Sequence, residues 1–217
     1  MLKTKPQKSY LTLKKKADVP KINKRIGLFG GTFDPVHTGH LIIAETVYEQ
    51  TNLDVVMFIP SANPPHKNHE LMFDADQRFR MLSLAIKDNP HFIVSDIEMN
   101  HEGPSFTIDT IRKIKADLSP ETELSFVVGK DNLFEMETWK ETEAILEECT
   151  ILAADRICEK EGDIPDWLKE KVVFVTVPLI EISSSDIRKR IREGKSIRYL
   201  VPDVVADIIE KAMRSQK

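Results

Sequence analysis

The stretch "GLFGGTFDPVHTGHL", residues 27–41, decides how the rest of the chain is read. An apolar run ends in Gly30-Gly31, the loop "TFDPVHTG" follows, and a helical pattern begins near His40. Glycines let a backbone approach a ligand closely. A helix N-terminus carries roughly half a positive charge and unpaired N–H groups, so it favours phosphate. His37 and His40 both sit at that turn. Each donates a hydrogen bond and, once protonated, a charge; beside a triphosphate their pKa values should rise. The stretch is neither G-x-x-x-x-G-K-[ST] nor G-x-G-x-x-G. Two histidines at i and i+3 also suit zinc, although no further Cys or His falls at ligand spacing. A merely structural role for the pair is the third reading that the residues leave open.

Outward from that stretch, short apolar runs alternate with segments of helical period. The runs at 25–30, 54–60, 91–98, 123–129, 149–155 and 171–178 predict strands. The segments at 41–50, 74–87, 105–118, 138–148, 183–194 and 201–214 predict helices. Asp74 is placed to cap the second helix, whose Phe79, Leu82 and Ile86 share a face. A serine cap and a glycine stop bound the segment 183–194. This alternation predicts an α/β fold with a doubly wound parallel sheet. Its strands are nearly continuous apolar runs, as burial on both faces requires. Ligands of such sheets bind at the carboxyl ends of the strands.

Composition narrows the class. No apolar run reaches the ~18 residues that would cross a membrane, and the N-terminus lacks a signal-type apolar core. Cys149 and Cys158 are the only cysteines and do not pair at metal spacing, which makes a reducing cytoplasm the simplest location. Residues 1–25 carry +8 and the remaining 192 carry −12. We read residues 1–24 as a basic, flexible extension and residues 25–217 as a single domain. A body with that acidic excess argues against nucleic acid as its main ligand. The oligomeric state is open, and a homo-oligomer is compatible with the sequence.

The string "GGTFDPVHTGHL" resembles the signature of the nucleotidyltransferases that share an H-x-G-H motif on a Rossmann-like fold. Four later segments, "PSANPPHK" (60–67), "SFTIDT" (105–110), "GKDNLFEMETWKETEAIL" (129–146) and "ISSSDIR" (182–188), follow in order. Together they resemble the nicotinate-nucleotide adenylyltransferases, and the resemblance covers about residues 25–212. It implies attack by the phosphate of a pyridine mononucleotide on the α-phosphorus of ATP, with pyrophosphate leaving. Magnesium is implied as a companion of ATP, because no carboxylate cluster suggests a dedicated cage.

The resemblance assigns roles residue by residue. Gly30, Gly31, Thr32 and Phe33 would frame ATP, and His37 and His40 would contact its phosphates in the transition state. Ser183, Ser184 and Arg188 would hold the outer phosphates at a second helix start, with Arg188 counted among the catalytic residues. His66 and Gly129 would also border ATP. Asn63 and Lys67, from the proline-rigid loop, would meet the mononucleotide phosphate. Ser105, Phe106 and Thr107 would offer backbone N–H groups and hydroxyls to the pyridine carboxylate. Asp131 would bond a ribose or orient its neighbours, and Trp139 would stack on the pyridine ring. No residue is assigned to metal.

Departures from the family pattern are confined to a few positions. Phe106 stands where tyrosine is more usual, Lys130 where a small or polar residue is expected, and Ile157-Cys158 where Pro-Gly would follow Arg156. A contact between Arg156 and ATP, and the choice between acid and amide mononucleotide, are therefore open. The alternatives are a sibling adenylyltransferase acting on nicotinamide mononucleotide or phosphopantetheine, an aminoacyl-tRNA synthetase fragment, and a non-catalytic nucleotide-binding sensor. His37 and "PPHK" speak against the phosphopantetheine group, the acidic body against tRNA, and the retention of both histidines against a sensor.

Overall fold

The computed structural model describes residues 25–62, 71–99, 103–155, 168 and 171–214. Six strands, β1 (Arg25–Gly31), β2 (Val55–Pro60), β3 (Phe92–Val94), β4 (Glu123–Gly129), β5 (Thr150–Asp155) and β6 (Val172–Thr176), form one sheet. Every pairing is parallel and the order is β3-β2-β1-β4-β5-β6. The helices are α1 (Thr38–Gln50), α2 (Ala75–Ile86), α3 (Thr107–Asp117), α4 (Lys130–Glu135), α5 (Thr142–Glu148), α6 (Ser184–Arg192) and α7 (Asp203–Arg214). A short 3-10 turn, Met136–Thr138, joins α4 to the segment before α5.

The period of two along each strand divides the core in two. Leu28, Met57, Phe126 and Ile151 point to one face, where they meet Ile108, Ile111 and Ile114 of α3 and Ile145 of α5. Phe29, Phe58, Val127 and Leu152 point to the other, where they meet Ala44 and Val47 of α1, Leu82 of α2, Ile187 of α6 and Val205 of α7. Burial on both faces is what makes the strands read as unbroken apolar runs.

The strand order reverses between β1 and β4, which places a crevice at their carboxyl ends. Gly30-Gly31 and Gly129 end those two strands.

Local structure follows the predicted elements with three differences. The third strand stops at Val94, because the Ser95 hydroxyl accepts the Ile97 N–H (3.3 Å) and the chain turns. The helix expected over 138–148 starts only at Thr142, after Glu141 in a left-handed conformation (φ 53°). The short helix α4 has no amphipathic period long enough to read from sequence. The extension 1–24, the loop residues Asn63, His66 and Lys67, and Arg156 lie outside the described residues.

Candidate active site

His37 is the N-cap of α1, with an extended backbone (φ −139°, ψ 168°). The His40 N–H donates to His37 Nδ1 (3.3 Å), and the His37 N–H donates to His40 Nδ1 (3.2 Å). This is a capping box made of two imidazoles. The rings stack with centroids 3.6 Å apart and planes 23° apart. Because each Nδ1 accepts from a backbone N–H, each neutral ring carries its proton on Nε2.

Gly39 explains the middle of the motif. A Cβ there would come within 3.0 Å of His37 Nδ1 and 3.1 Å of Cε1, so a side chain at 39 would push the ring from its place over the helix by a few tenths of an ångström. His37 is buried, and loss of hydration pushes its pKa down to about 4. In the absence of an anion it is a neutral donor near pH 7. The pKa rise expected beside a triphosphate therefore starts from a lowered value.

The loop leading to the histidines is braced from three sides. Asp34 is buried, and its carboxylate accepts the N–H groups of Met72 (3.0 Å) and Phe73 (3.0 Å). Arg188 of α6 is also buried; it donates to the Asp34 carbonyl (2.9 Å) and to Ser185 Oγ (3.1 Å), with the Asp34 carboxylate 3.8 Å away. The Ser184 hydroxyl donates to the Pro35 carbonyl (3.0 Å), and the Thr38 N–H to the Leu200 carbonyl (2.9 Å). Phe33 is buried beneath the histidines in a left-handed conformation (φ 48°), its ring centroid 5.0 Å from that of His40. A bulky side chain at positive φ holds strain, which the packing around it must offset.

Arg78 is the largest side chain with no exposure. Its guanidinium donates to the carbonyls of Thr32 (2.7 Å), Ser61 (2.6 Å), Ala62 (3.2 Å) and Phe73 (3.2 Å). Burial lowers its pKa, while the charges of Asp34 and Asp74 oppose the shift. The cation thus ties together the chain leaving β1, the chain leaving β2 and the turn before α2. Nothing in our sequence reading singled it out. The available signal was its spacing, since Arg78 stands one and two turns before Leu82 and Ile86 on the buried face of α2.

Across the end of β1 lies a cavity of about 210 Å³. Its lining includes Gly30, Gly31 and Thr32 from the histidine loop, Ser105, Phe106 and Thr107 at the start of α3, and Trp139. Phe106 is the N-cap of α3 but gives no side-chain cap, so the first N–H groups of that helix have no intrahelical partner. Ser105 Oγ is buried and finds no hydrogen-bond partner among the described residues. Trp139 is half-buried, edge-on to Phe126 with centroids 6.0 Å apart. Glu98 and Thr110, neither of them marked by the sequence reading, also line the cavity, and the Thr110 hydroxyl donates to Glu98 Oε1 (2.7 Å).

The structure therefore groups Gly30, Gly31, Thr32, Ser105, Phe106, Thr107 and Trp139 around one cavity, with His37 and His40 on the turn that continues from it. Ser183 caps α6 as expected, its Oγ accepting the Asp186 N–H (3.0 Å). Gly129 caps α4, and Asp131 is placed in that helix by its backbone. Arg188 and the Phe33 ring stand behind the loop rather than on its outer surface. Among the described residues, no three His, Cys, Asp or Glu side chains are grouped so as to hold a metal ion.

The comparisons with known proteins agree with this fold. A family model described as cytidylyltransferase-like matches residues 28–190. A protein of Lachnoclostridium phytofermentans named probable nicotinate-nucleotide adenylyltransferase is 40% identical over 195 residues, covering 87% of this chain and 97% of its own length. A Thermoanaerobacter protein of the same name is 42% identical over 194 residues, covering 86% and 92%. Among solved structures, the Plasmodium falciparum nicotinic acid mononucleotide adenylyltransferase complexed with NaAD matches with a TM-score of 0.72 over 87% of this chain and 96% of its own. At 21% identity that match speaks for the fold alone. The chain belongs to the cytidylyltransferase-like family and, within it, to the nicotinate-nucleotide adenylyltransferases that these relatives represent.

Proposed function

We propose that the chain transfers the adenylyl group of ATP to nicotinate mononucleotide, giving nicotinate adenine dinucleotide and pyrophosphate. The observation that carries this reading is the paired-histidine start of α1, joined through Gly30-Gly31-Thr32 to a cavity lined by Trp139 and the open start of α3. In the reaction an oxygen of the mononucleotide phosphate bonds to the α-phosphorus of ATP. The bond from that phosphorus to the bridging oxygen breaks, and pyrophosphate leaves with the electron pair. Neither histidine need act as a base, because the attacking phosphate is already anionic. Their task is to donate Nε2–H groups toward charge that develops on the transferring phosphate.

On the acceptor side, Trp139 offers a face for the pyridine ring, and Ser105, Phe106 and Thr107 offer hydroxyls and N–H groups to its carboxylate. Asp131, Asn63 and Lys67 would complete the mononucleotide site, with His66 bordering ATP. On the ATP side, the start of α6 with Ser183 and Ser184 would face the outer phosphates. Arg188 would act through the loop it holds. Magnesium would enter with the ATP substrate and neutralise the charge of the leaving pyrophosphate. Among the described residues no helix is long and apolar enough to cross a membrane; from the cysteine usage and the acidic body we propose a cytoplasmic enzyme without nucleic acid as a partner.

Pyrophosphate release with Mg-ATP and, in parallel, nicotinate mononucleotide, nicotinamide mononucleotide and phosphopantetheine tests the proposal. Turnover should be greatest with the nicotinate form. His40→Ala should lower it by roughly 10²–10³, the usual loss on removing one preorganised donor. Turnover restricted to phosphopantetheine, or absent with all three, would overturn the assignment.

A further inference from the structure

We infer that Lys140 sets the preference of the cavity for a negatively charged ring substituent. This rests on the reading above that the cavity holds the pyridine ring. Three charged side chains line the cavity among the described residues: Glu98, Glu135 and Lys140. Glu98 is buried beside Thr110. Two carboxylates in the lining repel an anionic substituent, and Lys140 is the one lining cation that opposes them.

Its ammonium is held in a defined place. Lys140 Nζ donates to Asp109 Oδ1 (3.1 Å) and Oδ2 (2.9 Å) and lies 5.1 Å from the centroid of the Phe106 ring. Asp109 and Phe106 both belong to the start of α3. The charge is therefore parked where the first N–H groups of α3 open and where the buried Ser105 Oγ has no partner among the described residues. An ammonium carries three N–H donors, so one remains for a substrate after Asp109 takes two. Lys140 and Trp139 line the same cavity. A carboxylate accepts a charge-assisted hydrogen bond from this group. A carboxamide accepts only through a neutral oxygen, and the difference between the two is about tenfold in affinity.

The test is kcat/KM with nicotinate and with nicotinamide mononucleotide for the wild type, Lys140→Gln and Lys140→Arg. In Lys140→Gln the acid-to-amide ratio should fall roughly tenfold, chiefly through a raised KM for the acid. Lys140→Arg, which keeps the charge, should retain most of the ratio. An unchanged ratio in Lys140→Gln, or an equal loss on both substrates, would overturn the inference while leaving an active wild type and the proposed reaction intact. A wild type inactive with both mononucleotides would overturn the proposed reaction and this inference with it.

Discussion

At the scale of single residues, the motif is governed by how little room lies over Gly39. An alanine there gains helix propensity, worth up to about 1 kcal/mol, but its methyl would press on His37 Nδ1 from 3.0 Å. The ring must then move, and the reciprocal cap with it. Gly39→Ala should keep a melting temperature near that of the wild type while kcat/KM falls roughly ten- to a hundredfold, as expected for a displaced catalytic donor. Full activity in Gly39→Ala would show that the ring position does not matter.

His37 makes a second prediction through its protonation. Its folded pKa, about 4, lies below the 6.5 of an unperturbed histidine. As pH falls through 6.5 the unfolded chain takes up a proton that the native state refuses, so stability drops across the window from 6.5 to 4; above 6.5 the residue contributes nothing. Between pH 7 and 5 the wild type should lose on the order of 2 kcal/mol more than His37→Asn, which can still cap the helix. Urea titrations at the two pH values measure this, and equal losses would contradict the buried, neutral imidazole.

At the scale of elements, sequence and structure agree where the signal is long and diverge where it is short. The runs that became β1, β2 and β4 were legible because both faces are buried. Asp74 was legible as a cap because its carboxylate accepts the Gln77 N–H (2.7 Å) one turn on. The early end of β3 and the delayed start of α5 depend on a Ser95 turn and on Glu141 at positive φ, neither of which has a periodic signature. Arg78 was hidden for another reason. An arginine in an amphipathic helix reads as solvent-facing, and only the assembled fold reveals the carbonyls that receive it. Arg78→Met should destabilise the protein by about 3–5 kcal/mol in denaturant titrations, because four carbonyls, one buried and three part-buried, lose a charged donor. Arg78→Lys should recover only part of that, since a point charge cannot span acceptors on several sides as a planar fork does. A neutral outcome in Arg78→Met would mean that the loops hold without the guanidinium.

At the scale of the whole molecule, strand–helix alternation was enough to anticipate a parallel sheet, and a cavity lies at the carboxyl ends of its central strands. The alternation did not give the strand order, which depends on which helices pack on which face. That order puts the reversal between β1 and β4 and hence the cavity beside Gly30-Gly31. Of the expected site residues, Gly30, Gly31, Thr32, Ser105, Phe106, Thr107 and Trp139 line that cavity, and all but Trp139 lie at or beside the end of β1 or the start of α3. Residues such as Glu98, Thr110 and Lys140 escaped notice because no motif marks a side chain that reaches the cavity from a turn or a helix interior.

The division of the core by the sheet has a further consequence. The histidine turn and α6 rest on one apolar cluster, and α3, α4 and Trp139 rest on the other. In the proposed reaction the nucleotide donor is then supported from one side of the sheet and the acceptor from the opposite side. Substitutions accumulating behind α3 can remodel the acceptor pocket while the machinery for the triphosphate stays as it was. Such an architecture lets new acceptors be adopted over evolutionary time without reinventing the transfer itself.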